Sequence, residues 1–336
     1  MSIQIAPFGE KAGLFTLENA AGTRLVLTDI GAAAVSLIYR GTDILLGWED
    51  PDRYFDGDGS EGATVGRVVN RIADARFTLN GRTYSLARND GRNNLHSGPD
   101  GYHTRLWTVA GKGENYVTFF MDSPDGDQGY PGHVQLSASY TLTEDDEVVL
   151  DYAAQTDADT PVNIANHAYF NLNGQGSGDI LGHTLKLYAE TFTPSTDDLI
   201  PTGEIWSVKG TPFDFRTGHA IGDHIDDDDP RLLSAGGYDL NFPVTGEGLR
   251  PAAELTGEKS GIRLTVLTDN PAVQLYTGNF LSGERGKGGA VYDRRSGVCL
   301  ETQRFPNAVN EPRFPSVILR EGETYRARTV WRLSKD

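Results

Sequence analysis

The sequence predicts an all-β protein, a large antiparallel β-sandwich with few and short helices. Three observations carry that expectation. Apolar and polar residues alternate with a period of two through stretch after stretch. Turn-forming Gly and Pro, 40 and 16 of the 336 residues, are spread along the chain rather than gathered in one linker. No capped segment with a 3.6-residue period reaches the ~12 residues at which a helix begins to hold by itself. Length alone would suggest two domains. The chain has no composition break, fixed-period repeat or low-complexity tract, however, so residues 1–336 are read as one domain.

The first clear element is a hairpin in "FTLNGRTYSL", residues 77–86. Asn80-Gly81 sits there between two β-prone runs and supplies the positive φ angles that a two-residue hairpin turn requires. In "VQLSASYTL", residues 134–142, Val134, Leu136, Ala138, Tyr140 and Leu142 take one face and Gln135, Ser137, Ser139 and Thr141 the other. The polar turn "TEDDE" returns the chain into "VVLDYAAQT", which predicts a second hairpin. "GIRLTVLT" (261–268) and "TYRARTVWRLS" (324–334) alternate in the same way, the latter with Tyr325, Ala327, Thr329, Trp331 and Leu333 on one side. In "GVCLETQRFPNAVN" (297–310) an apolar strand, Val298-Cys299-Leu300, ends on a carboxylate, Glu301. A loop punctuated by Pro306, Asn307 and Asn310 follows.

Composition narrows the function classes. Hydrophobic residues make up 38% and charged residues 23%, as in an ordinary folded protein. The formal net charge of -17 argues against nucleic acid and anionic membrane as partners, since both select basic surfaces. The single cysteine, Cys299, permits no intrachain disulfide and reads as a packed, inert thiol. "MSIQIAPFGE" lacks the basic and apolar regions of a secretory signal, and no 18-residue apolar run exists, so a cytoplasmic address is expected. The acidic run at residues 226–229 lacks the alternate-position spacing of a calcium loop and reads as solvated surface. No HExxH or paired CxxC pattern supports a bound metal.

Some side chains stand where chemistry is plausible. Glu301 closes an apolar run, although charged groups are rarely buried without a partner. It is either an ion-pair member or a reactive group. His167 lies among Asn163, Asn166, Asn171, Asn173, Tyr169 and Phe170. Amides that bond hydroxyls, beside rings that cover C–H faces, suit a sugar site; a β-edge histidine before an Asn-rich turn is the plainer reading. His96, in "NNLHSG", is a turn histidine or a site residue. Arg71 emerges from the apolar Val68-Val69 and needs a carboxylate or a hydroxyl-rich ligand. Asp239, after Gly236-Gly237, is a ligand anchor or a turn cap.

Taken in order, "GRVVNRI", "NNLHSG", "DGDQGYPG", "VNIANHAYFNL", "LIPTGEI", "GTPFDFR", "GGYDLNF", "VQLYTGNFL" and "CLETQRFPNAVNEPRFPS" resemble the aldose 1-epimerases, or galactose mutarotases. The likeness spans residues 66–316. It implies a β-sandwich of the galactose mutarotase type and an isomerase that interconverts the α and β anomers of a free neutral aldohexose. By the same resemblance Glu301 is the general base, His167 the general acid and His96 a second histidine of the cleft. Asn70, Arg71, Asp239 and Gln274 fall on substrate-binding positions. No metal or other cofactor is implied, and the protein is expected to be a monomer or a homodimer. The chain departs from its relatives at Ser60-Glu61, where they often carry Tyr-Phe, and at "HSG", where many have His-Gly-Gly. A glycosidase using Glu301 and Asp239, a non-catalytic sugar-binding module and a hexose 6-phosphate epimerase are the rival readings.

Overall fold

The computed structural model describes residues 1–56 and 60–335. Among them the only α-helices are Asp52–Phe55 and Pro230–Ala235. The dominant sheet has nine antiparallel strands. In order they are Thr108–Lys112, Tyr116–Ser123, Val134–Leu142, Glu147–Thr156, Thr324–Lys335, Ile262–Thr268, Arg250–Thr256, Thr184–Leu187 and His219–Ala220. Each stretch in which alternation predicted a strand is one. The Asn80-Gly81 hairpin forms as expected, with φ of 51° and 77° at the two turn residues.

Two further sheets pack with this one. Strands Ser2–Phe8 through Thr42–Asp43 form a five-stranded meander. Tyr169–Phe170, Val298–Gln303, Ala272–Tyr276 and Asp239–Pro243 form a four-stranded sheet. One continuous apolar core draws on all three, including Leu25 and Leu37, Leu136 and Trp331, and Leu275 and Leu300. The Phe170 and Trp331 rings meet edge-to-face at 5.2 Å, joining the small sheet to the large one.

Two strings of the sequence have a scaffolding role. Arg67, 1% exposed, donates to the Pro131 and Gly132 carbonyls at 2.8 and 2.9 Å and to Ser123 Oγ at 2.6 Å. It thereby ties "DGDQGYPG" to the loop that leads into Arg71, satisfying a buried cation with carbonyl and hydroxyl oxygens. The acidic run is exposed except for Asp229. Asp226 pairs with Arg295 at 2.7 Å, and Asp229 caps the Pro230–Ala235 helix by accepting from Arg231 N at 2.9 Å.

Candidate active site

The small sheet is the floor of a cleft of about 610 Å³. Pairing places Asp239 opposite Tyr276, Asn241 opposite Gln274, Gln274 opposite Glu301 and Tyr276 opposite Cys299. Cross-strand partners share a face and neighbours along a strand do not. The cleft face therefore carries Asp239, Gln274, Cys299, Glu301 and Gln303, while Leu240, Val273, Leu275, Val298 and Leu300 enter the core. A one-residue slip in register would exchange the two sets. This corrects the sequence expectation for Glu301: its strand does not end there. Val298–Gln303 is an alternating strand buried throughout, with Glu301 inside it on the polar face.

His167 lies between two short strands. Ala165–Asn166 pairs with Thr64–Val65, and Tyr169–Phe170 pairs with Val298 and Cys299. Its Nε2 is 3.6 Å from Glu301 Oε1, and its Nδ1 is 3.5 Å from Cys299 Sγ. Glu301 Oε2 is buried without a hydrogen-bond partner among the described residues. Such an atom costs stability unless something donates to it.

Electrostatics at the cleft floor does not favour an ionised Glu301. Burial raises the Glu301 pKa well above the carboxylate range, and the charge of Asp239 raises it further; Arg71 offsets this only in part. Arg71 is already engaged, its Nε with Asp90 at 2.9 Å and its Nη1 with Asp239 at 3.4 Å. Those two carboxylates overcome the burial penalty and hold its pKa above the ordinary value. Burial pushes His167 down to about 4, with His103 adding to the shift. His96 is lowered by burial, by His167 and His103, and by Arg71. The Cys299 thiol is pushed up by burial and by the carboxylates Glu301 and Glu61, so it stays protonated. With Nδ1 against the Cys299 sulfur, Nε2 is the His167 nitrogen that faces Glu301 and the open cleft.

The structure brings Glu301, His167, His96, Asn70, Arg71, Asp239 and Gln274 into this cleft or its supporting network. The amides around His167 do not line it: Asn163, Asn166 and Asn171 donate to the carbonyls of Arg304, Gly62 and Gly178, and Phe170 is in the core. Gln274 Nε2 donates to Asp239 Oδ1 at 2.6 Å, and Gln303 Nε2 donates to Gln274 Oε1 at 3.3 Å. His96 Nδ1 accepts from Asn70 N at 3.1 Å, and Asn70 Oδ1 accepts from Arg71 N at 2.9 Å. Asn70 and His96 both have positive φ, 62° and 53°, which turns the two loops toward each other. The loop after Glu301 braces this corner. Asn307 N donates to the Arg71 carbonyl at 3.0 Å, and Asn307 Oδ1 accepts from Ala73 N at 3.1 Å.

Sequence reasoning missed four groups that line the cleft, Trp48, His103, Tyr276 and Phe280, and two that support it from behind, Asp90 on Arg71 and Gln303 on Gln274. The aromatic wall includes Tyr169, with its ring 5.0 Å from that of His167, and Tyr276, which stacks on Phe280 at 6.1 Å. Phe280 is 63% exposed at the mouth, where an aromatic face suits the C–H side of a sugar.

The family model described as aldose 1-epimerase matches residues 13–332. A galactose mutarotase from Bos taurus is 45% identical over 297 residues, 88% of this chain and 85% of that protein. An aldose 1-epimerase from Escherichia coli is 37% identical, covering 97% of this chain and 96% of its own. Among solved structures, a GalM/aldose epimerase homologue from C. elegans superposes with a TM-score of 0.90 at 31% identity. That match covers 96% of this chain and 99% of the other. A galactose 1-epimerase from Lactobacillus acidophilus gives 0.89 at 26% identity, covering 100% and 99%.

Proposed function

The chain belongs to the aldose 1-epimerase family, and from that premise we propose that its cleft opens and recloses a neutral aldohexose such as galactose or glucose, with Glu301 as base and His167 as acid. The observation that carries this reading is the facing pair, Glu301 Oε1 and His167 Nε2, 3.6 Å apart on the floor of the cleft. Glu301 takes the proton of the C1 hydroxyl while His167 gives one to the ring oxygen. The C1–O5 bond breaks and a C1 carbonyl forms. Rotation about C1–C2 presents the other carbonyl face, and both proton transfers then reverse. Arg71, Asn70, Asp239, Gln274 and His96 bind ring hydroxyls, and the aromatic wall covers the apolar face.

Local chemistry weighs against the rivals. Asp239 is held by Arg71 and Gln274, which suits a hydroxyl anchor and not the second carboxyl of a glycosidase. A phosphate site would converge free Arg or Lys side chains, whereas Arg71 is already shared by two carboxylates. Polarimetry on freshly dissolved α-D-galactose and α-D-glucose tests the function. Wild-type protein accelerates relaxation to the anomeric equilibrium and leaves methyl glycosides intact. Release of reducing sugar from a glycoside would instead identify a glycosidase.

The binding role of the Arg71–Asp239 pair yields a separate expectation. Asp239→Asn removes a charged acceptor worth about 1.5–3 kcal/mol per hydrogen bond, so KM should rise roughly 10- to 100-fold. Turnover should change by only a few fold, because the groups that move protons remain. Initial-rate kinetics over a range of sugar concentrations separates the two effects.

A further inference from the structure

The cleft floor sets its polar side chains in a row. Across the strands the order is Asp239, Gln274, Glu301 and His167. Thr64–Val65 pairs with the His167 segment on the side away from the strand of Glu301, which adds Glu61 to the row. Gly62 N donates to the His167 carbonyl at 3.0 Å, and Asn166 Nδ2 donates to the Gly62 carbonyl at 2.6 Å, fixing the two segments together. Gly62 has φ of 70°, and a Cβ there would collide with the Ala34 carbonyl, so glycine is what lets this loop press against the sheet. Glu61 is thereby carried inside, only 2% exposed, where it lines the cleft.

A pyranose repeats this order. Its C2 hydroxyl, C1 with O1, ring oxygen and C5 with C6 follow one another around one edge of the ring. With O1 at Glu301 and the ring oxygen at His167, the C2 side falls to Gln274 and Asp239. The exocyclic carbon falls on the far side of His167. We propose that Glu61 accepts a hydrogen bond from the C6 hydroxyl and so selects aldohexoses over pentoses and 6-deoxy sugars. This rests on the roles proposed above for Glu301 and His167.

The surroundings of Glu61 suit that task. Trp48 Nε1 donates to its Oε2 at 3.2 Å, which fixes the plane of the carboxyl and leaves further lone pairs free to accept. Burial pushes its pKa up to about 7, and a hydroxyl can hydrogen-bond the group in either protonation state. Arg53 packs over the Trp48 ring at 4.3 Å, and Glu284 also borders this end of the cleft.

The test compares kcat/KM for galactose against 6-deoxygalactose and for glucose against xylose, which lacks the hydroxymethyl group. Wild type should favour the hexose in each pair by roughly 10-fold or more, because a sugar without the C6 hydroxyl leaves a buried oxygen of Glu61 unsatisfied. In Glu61→Ala both ratios should collapse to within about 2-fold of unity, the residue of small packing differences. A wild-type ratio near one, or a Glu61→Ala protein that is slower but keeps its ratios, overturns the assignment. If the alanine variant does not fold, Glu61→Gln carries the same test. It keeps an acceptor for Trp48 but weakens the bond to O6, so the ratios should fall several-fold; unchanged ratios overturn the proposal. Wild-type protein that accelerates no free aldose would defeat the mutarotase reading itself, whereas an active enzyme blind to C6 defeats only this subsite.

Discussion

Glu301→Gln is expected to slow catalysed mutarotation of galactose by roughly 10²–10⁴-fold, the range that one positioned acid or base contributes. The amide keeps the shape of the side chain and can still accept from a sugar hydroxyl, but it cannot take the C1 proton. Sugar affinity should therefore stay within a few fold, since the hydroxyl-binding groups are untouched. Stability should not fall. The wild-type carboxyl is buried, with Oε2 lacking a hydrogen-bond partner among the described residues, and the amide removes a group whose ionised form is costly there. Polarimetry, calorimetric sugar titration and a melting curve on the same preparation separate the outcomes. Lost turnover with retained binding and an equal or higher Tm is the expected triad. Retained turnover would move the base elsewhere. Lost binding together with a lower Tm would mark Glu301 as structural.

The physical basis of this site was only partly legible in the sequence. The outer strands announced themselves because one face is dry and the other wet, which writes a period of two into Val134–Leu142 and Thr324–Lys335. The cleft floor obeys the same period, yet Val298–Gln303 reads as an apolar run closed by a carboxylate. Its polar face is as buried as its apolar one, and Cys299, on the cleft side, passes for core. Glu61 was visible only as a departure from relatives. Nothing in Ser60-Glu61 marks a buried group, because burial there depends on Gly62, Ala34 and Trp48, brought together by the fold. Asp90 and Gln303 act through partners 149 and 29 residues away, Asp239 by way of Arg71 and Gln274 directly, and local patterns cannot report such pairings. The motif order, by contrast, carried the residues of the row from Asp239 to His167: each string alone left a plainer structural reading open, and only the ordered set resembled one family.

His167→Gln should cost a comparable ~10²–10⁴-fold in turnover, and it should also change the shape of the pH profile. In the wild-type protein the Glu301–His167 pair needs one proton: the carboxylate must be free to accept and the imidazole loaded to donate. Burial lowers His167 to about 4 and raises Glu301 well above its ordinary value. Each group is thereby stronger in its role, the carboxylate as base and the imidazolium as acid, while the loaded arrangement becomes a minority among the singly protonated forms. The pH limits of kcat/KM belong to the pair as a whole. As pH falls through about 4 a second proton is taken up, the base is lost and activity drops. As pH rises through the elevated value of Glu301 the single proton leaves, the acid is lost and activity drops again. Wild type should therefore hold a plateau that reaches well below the ~6.5 of an unperturbed histidine. In His167→Gln only the carboxylate titrates, so the residual rate should rise with pH through the Glu301 transition and then stay high, without the alkaline fall. Rate measurements from pH ~3.5 upward, corrected for acid- and base-catalysed mutarotation in buffer, distinguish the profiles. An alkaline limb that survives in the variant would transfer the acid role to another cleft group, His96 first, because its ring lies 5.4 Å from that of His167.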